Sequence, residues 1–473
     1  MMVGYDAREN RMPTIAAFTV VFLIAQTQSG AAASPAPAPV PTIPEKPALP
    51  PNMVSATFET SMYGFVEFNV IRDSTQSFNE AEGNTAIARP GTLPGDHGRT
   101  QFSIRDSRLG FKLKGPGSER LNTSGVLEMD FYGNQPQGSP APAGSPAVSE
   151  MAYFTSPGFR ARHYFVKLAT PYVDILAGQT WSLFGWQGSF FANVVQIPGV
   201  PGALAARTQQ LRLSHLFRGR ILGLEIAVAA ARPAQRNSDA PDGVGGLRLI
   251  LNDWKGLRTF GATGTGVDPL SIGVSGMVRR FRIPEFSATP KTTNAATGWG
   301  ISLDALLPVI RTTGNLGESA LTLTGSYVRG RAISDQYTCF TGGASFPALA
   351  TGTYAQDVDN GLVAYSPDGV LHTIGWQSFI VGAQYYPPLP IRAWVSVNFS
   401  HIESDTIKQL ITPANTSSST KIFDKTDWAD MNVFVDANTA VRFGLEYAFT
   451  RQTYLDGVRA TNHRVQLSTF YMF

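Results

Sequence analysis

Cationic side chains recur along this chain at alternate positions, set between apolar ones, and most of them are arginine. In I-R-A-W-V-S-V-N-F-S, Arg392, Trp394, Ser396, Asn398 and Ser400 oppose Ile391, Ala393, Val395, Val397 and Phe399. In A-V-R-F-G-L-E-Y-A-F-T, Arg442, Gly444, Glu446 and Thr450 oppose Val441, Phe443, Leu445, Tyr447 and Phe449. In the last stretch, N-H-R-V-Q-L-S-T-F-Y-M-F, Arg464, Gln466 and Ser468 oppose Val465, Leu467, Thr469, Tyr471 and Phe473. The same parity upstream adds Arg108, Lys112, Lys167, Arg212, Arg248 and Arg279, with Glu128 and Asp130 as acidic neighbours, and Arg207 stands at the exit of a long apolar segment. Guanidinium groups recognise carboxylates and phosphates through paired, charge-assisted hydrogen bonds. The chemistry open to this set is therefore anion recognition. The competing reading is that each cation pairs with an acid and stiffens the structure.

Other chemistries find less support. The six histidines, His97, His163, His215, His372, His401 and His463, are scattered, without metal-ligand spacing, and no G-x-S-x-G occurs. No catalytic, metal or cofactor site is expected. The positive excess is small, 38 Lys and Arg against 35 Asp and Glu, and it is spread along the chain, so nucleic-acid binding is not expected.

A two-residue period with one apolar and one wet face is the signature of a β-strand. A chain ending on such a strand, with Phe473 last, resembles the outer-membrane β-barrel proteins of Gram-negative bacteria, in which the terminal strand closes the barrel against the first. At 473 residues the chain suits one large barrel. Past the N-terminus no run of about eighteen apolar residues exists, which excludes membrane-spanning helices there. Alternating lipid-facing and lumen-facing residues would cancel in any hydropathy window. The charged set must face inward, since an arginine on the lipid face near the midplane costs about 2–4 kcal/mol. Tyr385, Tyr386, Tyr447 and Phe473 are expected in aromatic girdles at strand ends.

Period-two segments are expected at Met62–Val70, Gln101–Lys114, Gly125–Gly133, Arg162–Ala169, Tyr172–Trp181, Gln209–Phe217, Ile221–Ala230, Gly245–Leu251, Leu270–Phe281, Thr297–Val309, Ala320–Arg329, Thr373–Tyr386, Ile391–His401, Trp428–Asp436, Val441–Arg451 and the C-terminal stretch. Tight connections such as Thr170-Pro171 and Arg218-Gly219-Arg220 alternate with long ones such as Arg72–Arg99, Ile333–Val370 and Glu403–Asp427. The fold class is thus an all-β, antiparallel transmembrane barrel of about sixteen strands, with both termini on the periplasmic side. Asn252 to Pro269 fits poorly as a simple turn.

Residues 1–33 read as a secretory signal, with Arg8 and Arg11, the apolar Ile15 to Ala25 and a small-residue stretch ending near Ala33. Residues 34–56 form a Pro/Ala-rich periplasmic tether, and 57–473 the barrel. Cys339 is the sole cysteine, which rules out an intrachain disulfide and reads as a loop thiol.

The third long loop, Ser182 to Ala206, is apolar and aromatic, and no Asp or Glu occurs from Ile175 through Leu224. Folded inward, such a loop would favour an anion with an apolar body over a hydrated cation. Packed on the rim or at a subunit contact, it would not.

With these segments in view, the chain resembles the DcaP-like branch of trimeric outer-membrane porins. The residues that carry the resemblance are S-R-L-G-F-K-L-K-G at Ser107–Gly115, G-V-L-E-M-D-F at Gly125–Phe131, F-V-K-L-A-T-P-Y-V-D-I-L-A-G-Q-T-W-S-L-F-G at Phe165–Gly185 and L-R-L-S-H-L-F at Leu211–Phe217. The resemblance implies a sixteen-stranded barrel in the outer membrane, a homotrimer, and passive uptake of small anionic solutes such as dicarboxylates or aromatic acids. Relatives often carry a coiled-coil-like segment before the barrel, where this chain has its tether. A surface adhesin and, further off, an outer-membrane enzyme are the competing functional readings.

Overall fold

The computed structural model describes residues 58–473 apart from 79, 81–85, 134–157, 196–199, 262–263, 338–357, 359–360, 367 and 411–422. The segments expected as signal and tether, the expected loop over 134–157 and Cys339 lie outside the described residues.

Strands dominate, in the order β1 Glu59–Asp73, β2 Arg99–Ser103, β3 Arg108–Ser118, β4 Leu121–Gly133, β5 Gly158–Ala169, β6 Asp174–Trp181, β7 Arg207–Arg218, β8 Leu222–Ala231, β9 Asp242–Arg258 and β10 Gly266–Pro284. They continue as β11 Thr293–Ile310, β12 Ala320–Arg331, β13 Val363–Tyr365, β14 Leu371–Thr373, β15 Gly375–Tyr386, β16 Ala393–Glu403, β17 Phe423–Asp436, β18 Val441–Tyr454 and β19 Arg459–Met472. Each barrel strand pairs antiparallel with its neighbours in sequence, and β19 returns to pair with β1, from Phe65↔Met472 to Asp73↔Arg464. The result is a closed sixteen-strand barrel. Closure leaves no unpaired sheet edge, the condition for crossing a bilayer with strands. No helix of the described residues is long and apolar enough to cross a membrane.

The expected segment Gln101–Lys114 is broken. Both β2 and β3 pair with β1, and residues 104–107 bulge between them. That bulge turns Asp106 inward, where its carboxylate accepts from Asn69 Nδ2 at 2.8 Å and Tyr132 OH at 3.1 Å. A short hairpin, β13–β14, stands within the long β12–β15 connection and was not foreseen.

The faces follow the alternation. On β19, Arg464, Gln466 and Ser468 are fully buried in the lumen while Val465, Leu467 and Tyr471 are exposed on the outside. Phe443, Leu445, Val397, Phe399, Ile301, Leu303, Val228 and Leu211 extend this outward apolar band, which lipid covers. One girdle assignment fails. Tyr386 is 2 % exposed and points inward, where it stacks on Trp394 at 5.6 Å, because it has the opposite parity from the outward Tyr385.

The awkward stretch from Asn252 to Pro269 has a clear role. Lys255 pairs with Pro269, but Leu251 already pairs with Leu270, so residues 252–254 bulge out and the rest of the hairpin changes direction. Beyond the bulge, Leu257 O accepts from Thr322 Oγ1 of β12, Thr259 Oγ1 meets Tyr386 OH of β15, and Gly261 O accepts from Arg442 Nη1 of β18. A turn that reaches the inner faces of three strands beyond its own neighbours must lie inside the barrel. It is an inward-folded hairpin end at the short-turn mouth.

Candidate functional site

The loop between β6 and β7 enters the barrel from the long-loop end. Its anchors are apolar side chains set into gaps that strand glycines leave. Phe184 lies over Gly300 of β11, Trp186 over Gly246 of β9 and Gly273 of β10, and Val195 over Gly444 of β18. Polar bonds fix the register: Gly185 N donates to Ser275 Oγ at 2.7 Å and Trp186 Nε1 to Val274 O at 3.0 Å. Across the lumen, Asn193 O accepts from Ser396 Oγ and Asn398 Nδ2, and Val195 N donates to Asn432 Oδ1 and Glu446 Oε2. The loop then returns along β15 and β16, where Gly202 O accepts from Ser378 Oγ and Pro201 O from Ser400 Oγ. Of the two sequence readings of this loop, inward and rim-packed, the structure shows the inward one.

Loop and inward hairpin meet. Arg258 Nη1 donates to Ser189 O at 3.0 Å, Gly261 N to Asn193 Oδ1 at 3.3 Å, and the Phe191 and Phe260 rings stack at 4.7 Å. Trp181 extends the aromatic row, 4.9 Å from Phe191. Apolar and aromatic groups thus narrow the bore from both ends.

The wall on β3, β4, β5 and β7 carries the charge. Arg162 donates from Nε to Glu128 at 2.7 Å and from Nη1 to Asp130 at 2.9 Å. Arg160 grips Asp130 through Nε and Nη2 at 2.9 and 2.6 Å, and Arg108 Nε lies 3.5 Å from Glu128. Arg207 lies over the Trp181 ring at 4.8 Å. Among the described residues its guanidinium has no hydrogen bond or ion pair. Lys112 lies 4.8 Å over the Tyr63 ring, and His163 Nδ1 shares a hydrogen bond with Thr180 Oγ1 at 2.9 Å. Glu67 and Asp106 are also buried on this wall.

What a solute meets differs from the count of charges. The Asp130 and Glu128 side chains are 2 % and 8 % exposed, whereas the Arg160 side chain is 34 % exposed and Lys112 is exposed. The carboxylates sit behind the cations that bind them.

The other arginines of the sequence set face inward but are engaged. Arg464 is fully buried and bidentate to Asp73, with both contacts at 2.9 Å, and Arg442 binds Asp436 at 2.7 Å and Gly261 O at 2.9 Å. Arg279 is held between Asp242 and Asp335, both at 2.5 Å. Arg248 pairs with Glu225 at 2.6 Å, Lys167 with Asp174 at 2.7 Å, and Arg212 donates to Trp181 O at 2.6 Å. Arg392 reaches Gly314 O at 3.3 Å, beside the short β11–β12 turn. For these residues the geometry is that of pairing within the wall.

Sequence reasoning missed Arg160 and Arg162. Counting by twos from the inward Lys167 puts both on the lipid face. A β-bulge intervenes: Glu128 pairs with His163 and Met129 with Ala161, so Arg162 is the extra residue and the parity resets. The available signal was two consecutive arginines on an outward register, which a bilayer does not tolerate.

No protein-family model and no curated protein matches the chain. Among solved structures it is similar to the outer membrane channel DcaP of Acinetobacter baumannii, with a TM-score of 0.60 and 16 % identity over 88 % of this chain and 97 % of that one. It is also similar to an anion-selective porin from Comamonas acidovorans, with a TM-score of 0.49 and 11 % identity over 88 % and 100 % of the two chains. At these identities the likeness is one of fold. The chain is a closed antiparallel β-barrel with the fold of the DcaP channel.

Proposed function

We propose that this barrel is a porin through which small anions of the dicarboxylate or aromatic-acid type diffuse passively, and that it works as a homotrimer. The observation that carries this reading is the accessible charge of the β3–β7 wall. Arg160, Arg207 and Lys112 reach the lumen, while the carboxylates among them are buried. An anion passing this wall gains charge-assisted hydrogen bonds, whereas a cation is repelled before it meets the covered acids. Adjoining it, with Arg207 4.8 Å over the Trp181 ring, runs the Trp181–Phe191–Phe260 row, which offers an apolar surface to the body of the solute. The two surfaces together favour an anion with an apolar skeleton.

Among the described residues one serine–histidine side-chain contact bears on the enzyme reading. Ser366 Oγ lies 3.2 Å from His372 Nε2 in the β13–β14 hairpin, but the nearby Asp368 carboxylate accepts from the serine and not from the imidazole. A triad needs the carboxylate on the far nitrogen of the histidine. The arrangement is that of a capped turn.

The deciding experiment is a reversal potential in planar bilayers under a salt gradient. Wild-type protein is expected to prefer anions, and Arg160→Gln with Arg207→Gln is expected to abolish or invert the preference. A cation-selective wild-type channel overturns the anion reading, and absence of conductance overturns the porin. Unheated gel migration together with cross-linking tests the trimer.

A further inference from the structure

Where the inward loop rejoins β7 there is a cavity of about 480 Å³ at the long-loop end of the barrel. Its walls come from three separate segments: Arg207 and its neighbours at the start of β7, Arg232 and Arg236 from the β8–β9 connection, and Asp335 and Gln336 from the short helical turn after β12. The segments are fixed to one another. Arg232 N donates to Gln209 O at 2.8 Å, Ala205 N to Gln336 O at 2.9 Å, and Leu204 bridges to Tyr337. The cavity is therefore a built feature of the barrel mouth.

Its charge is one-sided. Arg207, Arg232 and Arg236 contribute three guanidinium groups, and among the described residues none of the three has an ion pair or a side-chain hydrogen bond. Among the described residues of the lining the one carboxylate, Asp335, is already held by Arg279 at 2.5 and 3.0 Å and by Gln336 Nε2 at 2.8 Å. Arg279 is shared between Asp335 and Asp242, so that trio carries one net negative charge against the three cations of the lining. Three guanidinium groups around a partly open cavity repel one another, a cost that a multiply charged anion removes while satisfying their donors.

We propose that this cavity is a binding site for small, multiply charged anions carrying phosphoryl or carboxylate groups. Arg207 belongs both to this cavity and to the lumen wall below it, so an anion bound here stands at the head of the arginine column. The same phosphoryl chemistry has two sources, a free solute or the phosphate groups of lipopolysaccharide, and the test separates them. The inference concerns equilibrium binding and does not rest on the barrel conducting.

The full chain, refolded in detergent, is titrated with inorganic pyrophosphate by calorimetry and by Trp181-sensitive fluorescence, and separately with vesicles containing lipopolysaccharide. Saturable pyrophosphate binding is expected, weakened about tenfold for each arginine removed in Arg232→Gln and Arg236→Gln. Unchanged heat-modifiable gel migration shows that the variants are folded. Binding of lipopolysaccharide vesicles alone, lost in the same variants, keeps the site and assigns it to lipid phosphate. Binding of neither probe, or binding that the double variant leaves untouched, overturns the proposal. If pyrophosphate binds and bilayers show no conductance, the cavity stands and the porin reading fails.

Discussion

Trp186 lies against Gly273 so closely that a Cβ at Gly273 would stand 2.7 Å from the indole Cδ1. The indole Nε1 donates to the next carbonyl along the strand, Val274 O, at 3.0 Å. A glycine on the inner face of β10 is thus the seat of the loop that narrows the bore.

Gly273→Val is expected to unseat that loop. Overpacking of this kind costs about 1–3 kcal/mol. In bilayers the variant should show a larger, noisier single-channel conductance than wild type, with a lower thermal midpoint. An unchanged conductance would mean that the loop does not limit the pore.

Arg162→Gln removes the group that bridges Glu128 and Asp130 and leaves two buried acids short of a cation. Breaking a buried pair costs about 3–5 kcal/mol, and this site should fall at the lower end because Arg108 and Arg160 remain. The reversal potential should move toward cations. The double change with Glu128→Gln should recover stability, read from the urea midpoint in vesicles.

Asp73→Asn tests the closing seam. Arg464 and Asp73, both fully buried, join the last strand to the first, so the single change should cost about 3–5 kcal/mol. Replacing both residues by apolar ones of similar size should cost less, since no charge is then left unpaired. Ion selectivity should stay as in wild type, a result that would mark Arg464 as a structural cation.

The short β11–β12 turn should respond to acid. The Glu318 carboxylate accepts from Thr313 N at 2.8 Å, Thr313 Oγ1 at 2.6 Å, Asn315 Nδ2 at 2.9 Å and Thr312 Oγ1, and these bonds pull its pKa down to about 2. A lowered folded pKa means the contribution is full above the ordinary value of 4.5 and is lost as pH falls through about 2. Protection of the Thr313 and Gly314 amides, taken relative to their intrinsic exchange rates at each pH, should fall across that window. In Glu318→Ala the protection should be low throughout and independent of the carboxylate.

Much of this was legible in the chain. Val465, Leu467 and Tyr471 against Arg464, Gln466 and Ser468 is a local pattern, and a bilayer gives it one solution: apolar residues outward, charge inward, edges closed. Strand existence, strand parity and barrel closure follow from residues within a few positions of one another. The stretch at Asn252–Pro269 also announced itself by failing to fit.

What the tertiary structure decided depends on residues far apart. The direction of the loop from Ser182 to Ala206 is set by glycine gaps on four distant strands, and no local period encodes which gap a Phe or Trp will fill. Arg279, Arg442 and Arg464 alternate like pore residues, yet Asp242, Asp436 and Asp73 take them up in the wall. Arg160 and Arg162 alternate like lipid-facing residues, yet one extra residue on β5 turns both inward. Alternation determines which face a side chain takes, whereas partner and exposure are fixed only when the barrel closes and the loop descends into it.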